Sequence, residues 1–243
     1  MAQAQSSEGA HMGHTRTLAI DVGGTGLKAS IVDESGRLLT DRARIDTPVG
    51  APPKEIVQAL VQLVQPLGAY DRVSVGFPGV VRDGRVFTAP NLGNKGWKGF
   101  DLAGSLSKGL GKPVRVANDA DVGGLAVISG KGVEMVITLG TGFGTGLYLD
   151  GRLGPHLELS HHPFRKGETY DEQLGNVARK RIGKKKWNKR VRQAIDNLRS
   201  LTNFDHLYIG GGNSKKIDFE LDPDVTIVDN TAGLAGGVAL WRE

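Results

Sequence analysis

The feature that most restricts the fold of this chain is a unit that occurs twice: a short apolar run, a turn crowded with glycine, and a second apolar run. Leu18-Ala19-Ile20-Asp21-Val22 leads into Gly23-Gly24-Thr25-Gly26, and Lys28-Ala29-Ser30-Ile31-Val32 follows. Met135-Val136-Ile137-Thr138-Leu139 leads into Gly140-Thr141-Gly142-Phe143-Gly144-Thr145-Gly146, and Leu147-Tyr148-Leu149 follows. Short runs rich in β-formers and bounded by glycine read as strands, so each unit is strand, turn, strand. A turn without Cβ atoms can bring its N–H groups against phosphate oxygens. One such turn is as readily a plain tight hairpin. Two, flanked by Asp and Thr, predict a pair of loops that clamp one polyanion. Neither carries the Gly-Lys-Ser/Thr of a P-loop, and neither is the Gly-x-Gly-x-x-Gly of dinucleotide sites.

The rest of the chain alternates strands and helices. A strand is expected about Arg37 to Ala43, and the three- and four-residue spacing of Ile56, Leu60, Leu63, Val64 and Leu67 predicts a helix. Val73 to Phe77 reads as a buried strand, and the Gly-, Asn- and Pro-rich stretch from Pro78 to Phe100 as irregular loops over a cleft. Val114 to Ala117 is a further strand running into Asn118-Asp119-Ala120-Asp121, with a helix expected over Val122 to Ile128. Trp187, Val191, Ala194, Ile195 and Leu198 mark the buried face of an amphipathic helix. His206 to Ile209 is a short strand ending at Gly210-Gly211-Gly212, and a last helix is expected from near Thr231 to Trp241. At 243 residues a single core begins to divide. The expected architecture is α/β with two lobes: residues 17–117 with 232–243 in one, 118–231 in the other. Residues 1–16 read as a disordered leader, or as an expression scar around Gly9-Ala10-His11-Met12.

Zero cysteines exclude disulfides, thiolate zinc sites and a cysteine nucleophile, and fit a reducing compartment. The first sixteen residues hold no apolar run, and no later segment approaches the roughly 18 apolar residues of a membrane helix. A cytoplasmic protein is expected. Net charge is +5, yet nine basic side chains fall in one acid-free stretch from Arg179 to Arg192; without them 22 bases face 26 acids. This stretch, with Lys184, Lys185, Lys186, Lys189 and Arg190 at its centre, admits three readings: a solvated helix face, a track for a polyanion such as inorganic polyphosphate, or a nucleic-acid surface. The last is disfavoured because Trp187, the one aromatic there, belongs to the apolar stripe. No nucleic-acid or membrane partner is expected.

Three groups of residues are suited to phosphoryl chemistry. Asp21, at the end of the first strand, is placed to hold magnesium directly or through water, or else to cap turn amides. Asp119 is the candidate general base, a strand-end carboxylate able to accept a hydroxyl proton; an isolated Asn-Asp pair is more commonly a helix cap. Glu158 and His161, three residues apart, suit the hydroxyl groups of a sugar. With His162 and Glu168 they also suggest a metal, but no further pair completes a tetrahedral zinc set.

Asp21-Val22-Gly23-Gly24-Thr25, Asn118-Asp119-Ala120-Asp121, Leu139-Gly140-Thr141-Gly142 and Gly210-Gly211-Gly212, in this order and spacing, resemble the ROK family of sugar kinases and repressors. Phe77-Pro78-Gly79, Ala89-Pro90-Asn91-Leu92 and Asn213-Ser214-Lys215-Lys216 bring the likeness nearest to polyphosphate glucokinases. The resemblance implies an actin/hexokinase-like (ribonuclease H-like) fold with a central cleft. It implies transfer of a phosphoryl group from polyphosphate or ATP, with magnesium, to the 6-hydroxyl of glucose. Asp21, Gly23, Gly24 and Thr25 would form one phosphate loop and Gly140, Thr141 and Gly142 the other, with Gly210, Gly211 and Gly212 near a nucleotide. Asn91, Asn118, Glu158 and His161 would bind the sugar, and Asp119 would deprotonate it. A homodimer is implied. The family's cysteine-built zinc site has no counterpart here, so no zinc is expected. Ser160 stands where the family's Glu-x-Gly-His motif has glycine, and His162 follows His161, which leaves open which imidazole faces the sugar. The rival reading is a sugar- or polyanion-binding relative with a regulatory role; the family's repressors carry an N-terminal DNA-binding domain, for which some sixteen residues before the first strand are too few.

Overall fold

The computed structural model describes residues 14–93, 95–229 and 234–242. β1 (Thr17–Val22), β2 (Gly26–Val32) and β3 (Ala43–Asp46) form an antiparallel meander. α1 (Pro53–Val64) crosses to β4 (Arg72–Phe77), and the small hairpin β5 (Val81–Arg82) and β6 (Arg85–Val86) and then α2 (Leu102–Leu110) lead to β7 (Val114–Asn118). The sheet order is β3-β2-β1-β4-β7, with β1, β4 and β7 parallel.

α3 (Asp119–Gly124) opens the second half, where β8 (Val133–Leu139), β9 (Phe143–Leu149) and β10 (Arg152–Leu153) repeat the meander. The hairpin β11 (Pro163–Arg165) and β12 (Glu168–Thr169) and the helices α4 (Tyr170–Leu174), α5 (Asn176–Ile182) and α6 (Lys184–Thr202) form the crossover to β13 (His206–Gly210), and β14 (Val225–Ile227) follows. The order β10-β9-β8-β13-β14, with β8, β13 and β14 parallel, is that of the first sheet. The recurrence visible in the glycine turns is thus a recurrence of whole-sheet topology.

Strands covered on both faces explain the apolar runs. Leu18, Ile20 and Val22 point to one side, into a core with Ile56 and Leu60 of α1 and Leu102 and Leu106 of α2. Ala19 and Val32 point to the other, against Leu234 and Val238. In the second sheet Met135, Ile137 and Leu139 pack on Trp187, Val191, Ala194 and Ile195 of α6, while Val136 and Tyr148 meet Leu125 and Ala239. The chain end, a 3-10 helix over Ala235–Trp241, therefore serves both sheets together with α3. Ser74 of β4 donates to Gly237 O at 2.6 Å and accepts from Trp241 Nε1 at 2.8 Å.

The expected elements move at several boundaries. The third strand is Ala43–Asp46, not Arg37 to Ala43, because Thr40 turns its side chain onto Ser30 and Ile31 while Leu38 and Leu39 stay exposed. The first helix stops at Val64, since Pro66 lies in a following 3-10 turn that holds Leu67. α2, which the sequence reading omits, is capped by Asp101 accepting from Gly104 N. α3 begins at Asp119 rather than Val122 and ends at Gly124, because the Asn118 side chain caps it. Phe143 to Gly146 belong to β9, so the second turn is only Gly140-Thr141-Gly142. The last helix is 3-10 from Ala235; Thr231, its expected start, lies outside the described residues, as does residues 9–12. No helix among the described residues is long and apolar enough to cross a membrane.

Candidate active site

The carboxyl ends of β1, β4, β7, β8 and β13 open on one cleft of about 630 Å³, which is where open α/β sheets place ligands. Asp21, Asn91, Asn118, Asp119, Gly140, Thr141, Gly142, Glu158, His161 and Gly210, Gly211 and Gly212 all line it. Gly23, Gly24 and Thr25 do not. Their turn closes on itself, with Gly23 N–H donating to Gly26 O at 3.0 Å and Thr47 Oγ1 to Gly23 O at 2.6 Å. Gly24 backs the wall indirectly, since a Cβ there would lie 3.1 Å from Asn91 O. The basic residues Lys184, Lys185, Lys186, Lys189 and Arg190 also lie outside the lining.

Asp119 stands at the junction of β7 and α3. Asn118 Oδ1 accepts from Ala120 N at 2.8 Å and Asp121 N at 3.3 Å, and its Nδ2 donates to Phe77 O and Gly79 O. All four hydrogen-bonding positions of that amide are engaged within the protein, so Asn118 fixes the backbone that carries Asp119. Gly76 of β4 lies against it: a Cβ there would meet Asp119 Cα in ordinary contact at 3.4 Å. The Asp119 carboxylate opens to the water of the cleft, with protein crowding around it. Desolvation raises its pKa to about 6, with the Asp21 and Asp121 charges adding to the effect and the Ala120 N–H opposing it. A carboxylate tuned toward neutrality is suited to accept a proton.

Asp21 Oδ2 is 3.1 Å from Lys28 Nζ, its cross-strand neighbour in β2. Among the described residues no group of three or more His, Cys, Asp or Glu side chains is placed to share a metal ion. Magnesium that keeps its waters and shares donor phosphates needs only one or two protein carboxylates, and Asp21 fits that requirement.

At the other wall, His156 lies between two carboxylates, with Nδ1 2.8 Å from Asp121 Oδ2 and Nε2 3.5 Å from Glu158 Oε2. The hydrogen bonds and charges of Asp121 and Glu158 outweigh burial and raise the imidazole to about 9. Glu158 is lowered, first by His156 and also by Ser160, whose Oγ donates to it. Burial pushes Asp121 up, and His156 opposes it. His161 lines the cleft, while His162 Nδ1 lies 2.8 Å from Pro163 O and its ring sits beside Tyr170. Asp171 completes this end: its Oδ1 accepts from Phe143 N at 2.5 Å, fixing the second glycine turn. Burial is the main cause of its raised pKa.

His156, Asp171 and Lys28 are site residues that the sequence reading does not single out. Lys28 was accessible, since a hairpin closing on Gly23 to Gly26 sets it opposite Asp21. His156 and Asp171 carry no local signal, because only the tertiary fold brings them to the cleft.

Gly210, Gly211 and Gly212 abut the second turn. Gly211 has φ +87° and a Cβ there would lie 2.4 Å from Leu139 O. Asn213 ties the two segments, with N–H donating to Leu139 O at 2.8 Å and Nδ2 to Gly140 O at 3.1 Å.

Comparison with known proteins agrees with this geometry. The profile of the ROK family matches residues 17–165. The polyphosphate glucokinase of Mycobacterium tuberculosis (strain ATCC 25618 / H37Rv) is 33% identical over 233 residues, covering 89% of this chain and 88% of that protein. The crystal structure of the inorganic polyphosphate/ATP-glucomannokinase from Arthrobacter sp. strain KM superposes with a TM-score of 0.79 at 33% identity, covering 92% of this chain and 97% of the other. A ROK family glucokinase from Streptomyces griseus, solved with glucose and AMPPNP, superposes at 0.70 with 22% identity, covering 94% and 98%, and speaks to the fold alone. The twin sheets and these superpositions place the fold in the actin/hexokinase-like α/β class. This chain belongs to the ROK family.

Proposed function

We propose that this protein is a sugar kinase that transfers a phosphoryl group from polyphosphate or ATP to the 6-hydroxyl of glucose. The observation that carries the reading is Asp119: a carboxylate raised to about 6, rigidly set at a strand end, in a cleft shared with two glycine segments and the Glu158–His161 pair. The names of the relatives at 33% identity support the donor and the sugar.

In this reading Glu158, His161 and Asp171 hold the sugar hydroxyls, with Asn91 on the facing loop, and Asn118 positions Asp119. Asp119 takes the proton of the attacking hydroxyl as its oxygen bonds to the terminal phosphorus, and the bond from phosphorus to the bridging oxygen of the donor breaks. Gly140 N–H closes the second turn on Gly142 O at 3.1 Å, so the backbone N–H groups of Thr141 and Gly142 face the charge on the transferring group. Asp21 would hold magnesium, which when bound would offset phosphate charge. Catalysis then comes mainly from positioning and charge stabilisation.

Residues 17–117 with 232–243 and residues 118–231 act as two lobes, each with its own core, and their approach brings the Gly23–Thr25 turn toward the donor and excludes water. Absence of cysteine supports a cytoplasmic setting, and the family kinship supports a homodimer.

The test is formation of sugar phosphate by the purified protein with magnesium, across ATP and polyphosphate as donors and glucose, mannose and N-acetylmannosamine as acceptors. Product with glucose supports the reading. Turnover confined to another sugar reassigns the substrate, and binding of glucose without turnover by any donor overturns the kinase reading.

A further inference from the structure

The fold divides the basic stretch between two flanks of α6. On one flank Arg181 Nη2 is 3.1 Å from Glu168 Oε2, and Arg190 is held below its ordinary value by burial and then by the charges of Arg165 and Arg181. On the other, Asn188 acts as a clamp. This residue is 4% exposed, donates to Lys184 O at 3.0 Å and Lys216 O at 3.1 Å, and accepts from Asp218 N at 3.0 Å. It fixes the first turn of α6 to the segment that follows Gly210, Gly211 and Gly212.

That segment starts at the cleft. Lys215 Nζ is 3.1 Å from Asp229 Oδ1, and Asp229 belongs to the cleft wall. Lys215 and Lys216 thus stand at the rim, Lys184 and Lys185 come next across the clamp, and Lys189 lies four residues on, on the same helix face as Lys185. Among the described residues, Lys185, Lys189 and Lys216 have no carboxylate within 4.0 Å. The pairs Lys184–Asp218 and Lys215–Asp229 are exposed, and such pairs contribute little and exchange readily. Farther along, Asp222 and Asp224 are taken up by Arg199.

We propose that Lys215, Lys216, Lys184, Lys185 and Lys189 form a track for linear inorganic polyphosphate longer than the cleft. Its terminal phosphate sits at Gly140–Gly142 and its tail leaves over Gly210–Gly212. The assignment rests on the kinase reading above. A nucleic acid fits less well, because the track offers no free aromatic face on which bases stack: Trp187 is fully buried with Nε1 donating to Leu174 O, and Phe219 is covered by Arg192. In this assignment ATP stays within the cleft, whose lining includes no residue of α6.

The experiment compares the wild-type protein with Lys184→Gln/Lys185→Gln/Lys189→Gln, and separately with Lys216→Gln. Steady-state kinetics are measured with ATP, tripolyphosphate and long-chain polyphosphate at two salt concentrations, alongside direct binding of long-chain polyphosphate and of duplex DNA. The triple variant is expected to raise KM and Kd for the long chain about tenfold and to flatten their logarithmic salt dependence by about 2. Its ATP and tripolyphosphate kinetics stay at the wild-type level. An unchanged long-chain KM and salt slope overturns the track, as does an equal loss with all donors. Duplex DNA bound as tightly as polyphosphate, with the same loss in the variants, overturns the choice of ligand. A wild-type protein that makes no sugar phosphate from any donor counts against the kinase reading instead, and the polyphosphate binding comparison then decides the track alone.

Discussion

His156 Nδ1 and Asp121 Oδ2 meet at 2.8 Å in the cleft wall, with side chains 10% and 7% exposed. The pair links two elements distant in sequence: Asp121 is in the first turn of α3, beside Asp119, and His156 precedes the segment carrying Glu158 and His161. The catalytic candidate and the sugar-binding candidates are therefore held to one another by a buried ion pair, and Glu158 is oriented by the same imidazole.

Removing the imidazole leaves Asp121 buried without its partner. His156→Ala is expected to cost about 3–5 kcal/mol of stability near neutral pH and to raise KM for the sugar through loss of Glu158 orientation. Because the folded value is raised from 6.5 to about 9, the contribution is full below 6.5 and disappears as pH rises through 9. Thermal melts of both proteins across this range check it: the gap in Tm is widest near pH 6.5 and closes above pH 9.

The raised carboxyl of Asp119 sets an acid limb. With a folded value of about 6, kcat/KM is expected to rise as pH increases through 6 and then level off, since the base must be ionised. The stability effect has the opposite sign, because a folded value above 3.8 means folding favours the protonated form. Asp119→Asn is thus expected to melt at a higher temperature than wild type at pH 8, with the advantage shrinking as pH falls through 6 toward 4.

Gly211 supports the donor end through its backbone alone. Its φ of +87° and the 2.4 Å approach of a Cβ to Leu139 O leave no room for a side chain. Gly211→Ala is expected to cost about 1–3 kcal/mol and to raise KM for the donor more than for the sugar, read from two-substrate kinetics.

Asn188 couples α6 to the segment after Gly212. Asn188→Ala leaves the Asp218 N–H and the Lys216 carbonyl without their partner, at a cost of about 1–3 kcal/mol. If the clamp aligns the lysines, the variant also loses preference for long over short polyphosphate while turnover with ATP persists, which a chain-length series measures.

How far the sequence reveals this arrangement follows from the range of the interactions. The twin strand-turn-strand units, the α6 stripe and the strand ends at Asp21, Asp119 and Gly210 are legible because period, glycine and local register carry them. The start of α3 is shifted because Asn118 is both the last residue of β7 and the cap of α3, its Oδ1 accepting from Ala120 and Asp121 N–H so that the helix opens at Asp119 with no intervening turn. His156 and Asp171 are not legible: each depends on a partner 35 or 28 residues away, brought close by the second sheet. The two flanks of the basic stretch separate only once Asn188 is seen to bind Lys216, since helical spacing alone does not say what lies beside each face.

The most direct test of the central claim is the rate of glucose 6-phosphate formation by wild-type protein and by Asp119→Asn at pH 8, with magnesium and saturating donor. The account predicts a loss of roughly 10²–10⁴-fold in kcat, with glucose affinity and the circular dichroism spectrum retained. A variant that turns over at the wild-type rate would contradict the assignment of Asp119 as the base.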